Sequence, residues 1–304
     1  MPATLQETIP ALTSNGHAVN PDGVDWLRDS TEILNDVPAL QQRMSQDGYL
    51  FLPGLLNKEW VLDARRSITD VLKAEGCLDP AFPSIESIAQ PNKNPGWRPE
   101  LTRNPAVIRL LYSGAMMNFF AAFLAGEVRH FDFTWLRTVM PGRGTNPHCD
   151  IVYMGRGTHN LYTAWTPLGD VPFEQGGLMV LEGSNNHQRL KQTYGQTDVD
   201  SFCSNRQGRA GQDFWARKGG GSLGSNPNQI RRSIGGQWRT AEFKSGDVLI
   251  FSMFTIHCSA DNHSNRVRLS TDSRYQLASE PVDERWVGEN PIAHGKDGKR
   301  GRIC

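Results

Sequence analysis

The chain has 304 residues, with 32 Lys and Arg, 32 Asp and Glu, and a formal net charge of zero. This length suits one large domain or two small ones. Balanced charge argues against a nucleic-acid partner, because affinity for a phosphate backbone comes from clustered Lys and Arg. The longest apolar run, Met116 to Ala125, falls short of the roughly 18 to 20 residues of a membrane helix, so no membrane partner is expected.

The first residues, MPATLQETIPALTSNG, lack the basic start and continuous apolar stretch of a secretory signal, which predicts a cytoplasmic protein. The cysteines are widely spaced, and none forms a C-x-x-C pair. This pattern fits neither a disulfide framework nor a structural zinc site, so free thiols are expected. The sequence carries no signal for an oligomeric state.

Residues 1 to about 30 mix polar residues, Pro and Gly without periodicity, which predicts an irregular N-terminal arm. A helix follows from Val37, where Leu40 and Met44 are four residues apart, and Asp47-Gly48 ends it. The run YLFLPGLL then predicts a strand. Apolar stripes predict two further helices, from Lys58 to about Lys73 and from about Pro105 to Leu124.

After Gly126 the pattern changes to short β-type runs separated by turn residues, which predicts an antiparallel double-sheet barrel with helices packed outside it. The runs are VRHFDFTWLRTVM, NLYTAWTPLGDV, GLMVLEGS, WRTAEFKSG, DVLIFSMFTIHCS and RVRLSTDSRYQL. Between about residues 185 and 237 lies a long polar, Gly-rich insertion, which is typical of a lid or a surface excursion. We expect Gly219 to Gly221 to supply hinge freedom in a lid, and Phe214, Trp215 and Trp238 to exclude water.

Three residues carry the chemistry of the chain: His148 and Asp150 in NPHCDIVY, and His257 in FTIHCSADN. Residues two apart in a strand point to the same face, so His148 and Asp150 should present an imidazole and a carboxylate to one metal ion. A second imidazole from a distant strand completes a two-His-one-carboxylate site with open coordination positions. Such a site suits non-haem Fe(II) and O₂ chemistry.

Arg268 and Ser270 follow His257 on the next predicted strand. Both should lie on one strand face, where the guanidinium can form two parallel bonds to a carboxylate and the hydroxyl a third. This pair therefore predicts a binding site for one end of a dicarboxylic acid.

These segments resemble the phytanoyl-CoA dioxygenase-like Fe(II)/2-oxoglutarate oxygenases over roughly residues 38 to 278. The resemblance rests on QDGYLFLPGLL, HCDIVY, TAWTPLGDV with EQGGLMVLEGSNNH, and GDVLIF with IHCSADNHSNRVRLS. It implies a mainly β fold with flanking helices, a double-stranded β-helix core of the jelly-roll, cupin-like type, and one domain over residues 31–304.

The resemblance also implies the roles of the site residues. His148, Asp150 and His257 would be the iron ligands, and Arg268 with Ser270 would bind the distal carboxylate of 2-oxoglutarate. Trp165 would lie beside this co-substrate, with Thr163 as a weaker candidate. The implied reaction consumes O₂ and 2-oxoglutarate, releases succinate and CO₂, and hydroxylates or otherwise oxidises a C–H bond of a small molecule.

Two other functions are open at this point. A catalytically silent cupin-like protein that binds a metal or ligand would have lost Asp150 or Arg268, yet both are present. A hydrolase using His148, Asp150 and a serine such as Ser259 is disfavoured, because Ser259 does not lie in a G-x-S-x-G elbow.

Overall fold

The computed structural model describes residues 8–205 and 219–303. The helices in these ranges are α1 (Val37–Asp47), α2 (Lys58–Ala74), α3 (Pro105–Tyr112), α4 (Gly114–Leu124), α5 (Ile151–Met154), α6 (Gln188–Gln192) and α7 (Pro227–Ile234). The strands are β1 (Thr13–Ser14), β2 (His17–Ala18), β3 (Val24–Trp26), β4 (Tyr49–Leu52), β5 (Val128–His130), β6 (Trp135–Val139), β7 (Thr145–His148), β8 (Tyr162–Pro167), β9 (Leu178–Leu181), β10 (Ser201–Cys203), β11 (Trp238–Thr240), β12 (Val248–Ser252), β13 (His257–Ser259), β14 (Arg268–Leu277) and β15 (Arg300–Arg302).

Two main sheets form the barrel. The smaller has the strand order β3-β11-β9-β13-β7, and the larger has the order β4-β12-β8-β14-β5, with β6 also paired to β14. Neighbouring strands are antiparallel throughout these sheets except for the parallel pair of β3 and β11. Each of the six predicted β-type runs contains a strand, so the expected double-sheet architecture is confirmed.

The larger sheet separates the helical layer from the barrel interior, because side chains alternate between its two faces. On β14, Leu269 and Tyr275 belong to the apolar core that also contains side chains of α1 to α4. Burying each such large apolar side chain contributes roughly 1.5 to 3 kcal/mol. The alternate residues Arg268, Asp272 and Arg274 face the interior, where they line a cavity. The charged residues of β14 thus lie on one face of the sheet.

Helix α1 begins and ends as the sequence predicts. The Asp36 side chain accepts a hydrogen bond from the Ala39 N–H at its start. Gly48 ends the helix with φ 83°, and a Cβ atom there would lie 2.6 Å from Asn185 Oδ1. Glycine is therefore required both for the left-handed backbone and for the close approach.

The helix expected over residues 105–124 is two helices, because the chain is extended at Ser113 (φ −148°, ψ 175°) between α3 and α4. By length and composition alone, this stretch is apolar enough to cross a membrane. The expectation that the longest apolar run covers only residues 116–125 is thus wrong. In the fold, 44% of the stretch is buried, and Val107, Leu111 and Phe120 pack in the core beneath the larger sheet.

The N-terminal arm is more ordered than predicted. Strands β1 and β2 form a hairpin, and β3 joins the smaller sheet by pairing Val24 with Trp238 and Trp26 with Thr240. The expectation of an irregular arm is therefore wrong for these residues. Its pairing partner lies more than 200 positions away in the chain, so no local periodicity reveals the strand.

The predicted insertion contains regular elements in its described parts, namely α6, β10 and α7. Strand β10 pairs in parallel with β15 near the chain end. Cys77, Cys149 and Cys258 are free, whereas Cys203 on β10 is disulfide-bonded, so the expectation of free thiols is wrong for Cys203. Sequence spacing does not reveal the pairing of β10 with β15, because the two strands lie almost 100 residues apart in the chain.

Candidate active site

The two proposed histidine ligands lie on neighbouring strands of the smaller sheet. His148 ends β7, His257 begins β13, and the two are paired across the antiparallel ladder. Their ring centroids are 4.2 Å apart. The ladder therefore brings together two imidazoles that are distant in sequence.

Asp150 reaches the same point by a route that the sequence analysis did not foresee. Strand β7 ends at His148, and Asp150 has helical backbone angles (φ −67°, ψ −24°) at the start of α5. The same-face strand argument is thus wrong, although its conclusion holds. Asp150 Oδ1 lies 3.7 Å from His257 Nε2 and 4.0 Å from His148 Nε2. The ligand atoms of all three residues lie within 4.8 Å of one another.

Hydrogen bonds at Nδ1 leave the Nε2 atom of both imidazoles free to bind a metal. His148 Nδ1 lies 2.7 Å from the Asn146 carbonyl oxygen, and His257 Nδ1 lies 3.1 Å from the Thr255 carbonyl oxygen. A carbonyl accepts only from a protonated Nδ1, which leaves the Nε2 lone pair for a metal. Burial lowers the pKa of His148 to about 3 and also lowers the pKa of His257. Both rings are therefore neutral at pH 7, as metal ligation requires.

The second oxygen of Asp150 is held by two other side chains. Arg274 Nη2 donates to Asp150 Oδ2 at 2.8 Å, and the Thr163 hydroxyl donates to the same oxygen. Burial by itself would raise the pKa of Asp150, but the Arg274 charge and the Thr163 hydrogen bond hold it well below its usual range. Oδ1 is thus the oxygen presented to a metal, and the three donors fit a two-His-one-carboxylate iron site.

Thr163 therefore contacts the carboxylate ligand, and its predicted place beside the co-substrate stays a prediction. Arg274, which the sequence analysis did not assign to the site, neutralises that ligand from a buried position. Its guanidinium carbon also lies 4.1 Å from the Trp135 ring centroid. The signal for Arg274 was present in the alternation of β14, since residues 268, 270, 272 and 274 share one strand face.

Arg268 is a buried cation without an adequate partner. Its side chain is 1% exposed, and its Nε has no hydrogen-bond partner among the described residues. Its Nη1 donates weakly to Ser270 Oγ at 3.4 Å, and its guanidinium carbon lies 5.8 Å from the Trp165 ring centroid. Burial lowers the pKa of Arg268 to about 10. Such a group fits a carboxylate ligand, because a buried charge is stable only when it is paired.

The metal ligands and Arg268 open into one cavity of about 580 Å³. Trp165 also lines it, next to Arg268. Sequence reasoning missed most of the other walls, which come from at least six separate segments of the chain. These lining residues include Trp97, Phe133, Trp135, Arg137, Tyr153, Met154, Leu178, Asp272, Trp286 and His294.

The predicted insertion contributes Gly220 and Ser222 to the cavity wall. The Tyr153 hydroxyl donates to the Gly220 carbonyl oxygen at 2.7 Å and holds this segment against α5. Trp238, however, is fully buried in the core on β11, so its predicted role in a lid is wrong. Phe214 and Trp215 lie outside the described residues.

A buried ion cluster fixes the C-terminal part of the wall. Asp200 is fully buried and accepts hydrogen bonds from Arg285 Nη1, from His294 Nδ1 at 2.8 Å and from Lys299 Nζ at 2.9 Å. Burial by itself would raise the pKa of Asp200, but these partners hold it well below its usual range. The cluster ties the segment that carries Trp286 and His294 to the predicted insertion.

Comparison with solved structures supports the fold. The chain superimposes on the non-heme alpha ketoglutarate dependent epimerase SnoN from nogalamycin biosynthesis with a TM-score of 0.53 and 18% identity, over 84% of this chain and 93% of SnoN. EctD from S. alaskensis, solved with 2-oxoglutarate and 5-hydroxyectoine, gives a TM-score of 0.55 and 16% identity, over 97% of this chain and 94% of EctD. The expected fold class is confirmed.

Comparison of sequences supports the family. The 1-deoxypentalenic acid 11-beta-hydroxylase of Streptomyces exfoliatus is 26% identical over 265 residues, which cover 83% of this chain and 85% of that enzyme. The family model of phytanoyl-CoA dioxygenase matches residues 44–270 and includes all three proposed ligands. The expected enzyme class and its cofactors, Fe(II), 2-oxoglutarate and O₂, are confirmed, and the chain belongs to the phytanoyl-CoA dioxygenase family.

Proposed function

We propose that this protein hydroxylates a C–H bond of a small organic molecule while it converts 2-oxoglutarate and O₂ to succinate and CO₂. The observation that carries the proposal is the convergence of three metal donors within 4.8 Å of one another at the wall of the cavity. Hydroxylation is favoured over other oxidations because the relative from Streptomyces exfoliatus is described as a hydroxylase. The cytoplasmic setting and the absence of nucleic-acid and membrane partners stay predictions from the sequence.

In this proposal His148, Asp150 and His257 hold Fe(II), which supplies the activation of O₂ when it is bound. Arg274 and Thr163 orient Asp150, so that one carboxylate oxygen is directed to the metal. Arg268, with Ser270 beside it, binds the distal carboxylate of 2-oxoglutarate against Trp165. Each of these side chains is buried or nearly so, which keeps water from the reacting groups.

We also assign a covering role to the described part of the insertion around Gly220 and Ser222. Both residues line the cavity, and the bond from Tyr153 to Gly220 attaches them close to the metal ligands. A cover in this position excludes water once the substrate is bound. Residues 31–304 then act as one oxygenase domain with its own lid.

The test is succinate formation from 2-oxoglutarate with Fe(II) and O₂ in His148→Ala, Asp150→Ala and His257→Ala. Each variant should lose Mn(II) binding and succinate formation while it keeps the circular dichroism spectrum of the wild type. His159→Ala is a matched control, since this exposed histidine lies outside the cavity lining. Wild-type turnover by all three variants at saturating Fe(II) would overturn the metal assignment.

A further inference from the structure

The part of the cavity beyond the metal ligands is walled by aromatic rings. Phe133 contacts the other three rings of this wall. Its ring centroid lies 4.7 Å from that of Trp135, 5.3 Å from that of Trp286 and 6.2 Å from that of Trp97. Trp97 is stacked on Phe133 and is 53% exposed, which places it at the opening. Such a wall fits a rigid apolar skeleton, because ring faces bury large areas at little cost in side-chain entropy.

One cation interrupts this apolar wall. Arg137 on β6 lies opposite Ser270 in the ladder, so its side chain shares the cavity face of the larger sheet. Its Nε donates to Asp272 Oδ2 at 2.8 Å. Neither Nη1 nor Nη2 of Arg137 forms a hydrogen bond or ion pair with the part of the chain that the structure describes. The terminal edge of the guanidinium is therefore available to a ligand.

The charges of the cavity leave one positive charge uncompensated. Three arginines line it, Arg137, Arg268 and Arg274, against two carboxylates, Asp150 and Asp272. Fe(II) adds two positive charges and 2-oxoglutarate adds two negative charges, so these additions cancel. The side chain of Arg137 is 30% exposed, so water reaches its terminal edge, and a ligand that displaces this water has to compensate the excess charge. The remaining occupant of the cavity should supply one negative charge.

We propose that the substrate is a ring-containing, apolar monocarboxylic acid whose carboxylate is bound by Arg137 while its skeleton packs on the wall formed by Phe133, Trp135 and Trp286. This inference rests on the proposed function, since the substrate must lie beside the metal ligands. Arg137 is then a specificity-determining residue, because it selects the anion and so sets which carbon of the skeleton faces the metal. Its planar edge suits a carboxylate through two parallel bonds.

The probes are monocarboxylic acids with one to three fused rings, each paired with its methyl ester. Binding is measured by calorimetry on protein loaded with Mn(II) and 2-oxoglutarate. We expect at least one acid to bind tenfold or more tightly than its ester. Arg137→Gln should abolish this preference, and Arg137→Lys should retain part of it. Arg129→Gln, a change on the exposed face of β5, should behave as the wild type.

The inference fails if the wild type binds acids and esters equally well, or if it binds none of the acids. It also fails if Arg137→Gln keeps the wild-type preference for acids. If Arg137→Gln instead loses affinity for 2-oxoglutarate, Arg137 belongs to the co-substrate and the inference also fails. Succinate formation by the same wild-type protein is measured in parallel. Loss of that activity alone would refute the proposed function, so the two failures are distinguishable.

Discussion

Replacing Arg268 with Met removes the guanidinium that we assign to 2-oxoglutarate while it keeps most of the buried volume. Without the co-substrate, Arg268 has one long bond to Ser270 and an unpaired Nε among the described residues. Two other arginines, Arg266 and Arg274, lie close to Arg268 in the sequence. Arg266 is 43% exposed and paired with Glu86, and Arg274 is paired with Asp150, so neither can replace Arg268.

The magnitude follows from the burial of Arg268. A buried charge that loses its ion partner costs about 2 to 5 kcal/mol, which corresponds to roughly 30- to 4,000-fold in the Kd for 2-oxoglutarate. In the absence of 2-oxoglutarate, the same substitution should not destabilise the fold. Burial lowers the pKa of Arg268 to about 10, which indicates that burial of the cation costs on the order of 3 kcal/mol. Arg268→Met should therefore have a ligand-free Tm equal to or above that of the wild type.

Calorimetry with Mn(II)-loaded protein gives the Kd, and thermal unfolding with and without 2-oxoglutarate gives both Tm values. The stabilisation by 2-oxoglutarate in the wild type should vanish in Arg268→Met, while the exposed Arg266→Met should keep it. A Kd within threefold of the wild type, or a fall of several degrees in the ligand-free Tm, would refute this account of Arg268.

Three other changes test the surroundings of the site. Thr163→Val should weaken Mn(II) binding about 10- to 100-fold in a metal titration, because it removes one of the two hydrogen bonds that hold Asp150 Oδ2. Tyr153→Phe removes the bond to the Gly220 carbonyl and should raise substrate-free succinate formation roughly twofold or more, with an unchanged Kd for 2-oxoglutarate. Asp200→Asn should lower the unfolding free energy by about 3 kcal/mol at pH 7. The folded-state pKa of Asp200 lies below its usual value. The difference in unfolding free energy between the wild type and Asp200→Asn, measured by urea titration, should therefore be full above about pH 5 and shrink as the pH falls below about 4.

The parts of the site that the sequence predicts are those defined by short motifs. His148, Asp150, His257 and Arg268 belong to such motifs, and the structure places all four around one cavity. The reasoning failed at Asp150, because strand periodicity was extended two residues beyond the end of β7 at His148. Spacing identified the residue but not its conformation.

The rest depends on contacts between distant segments. The pairing of β3 with β11 places Trp238 in the core, although its local sequence suggested a lid residue. Arg274 becomes part of the site only when α5 brings Asp150 to β14. Periodicity reports which face of a strand is buried, but it does not report which charged group will be found opposite.

Part of the cavity wall lies outside the segment that carries the metal ligands. The family match ends at residue 270, yet Trp286 and His294 line the cavity from beyond it, and the Asp200 cluster anchors their segment. This part of the substrate-facing surface can therefore change while the three metal ligands stay the same. Chimaeras that exchange residues 284–303 between family members, together with the partners of Asp200, should alter substrate choice while the iron chemistry stays in place.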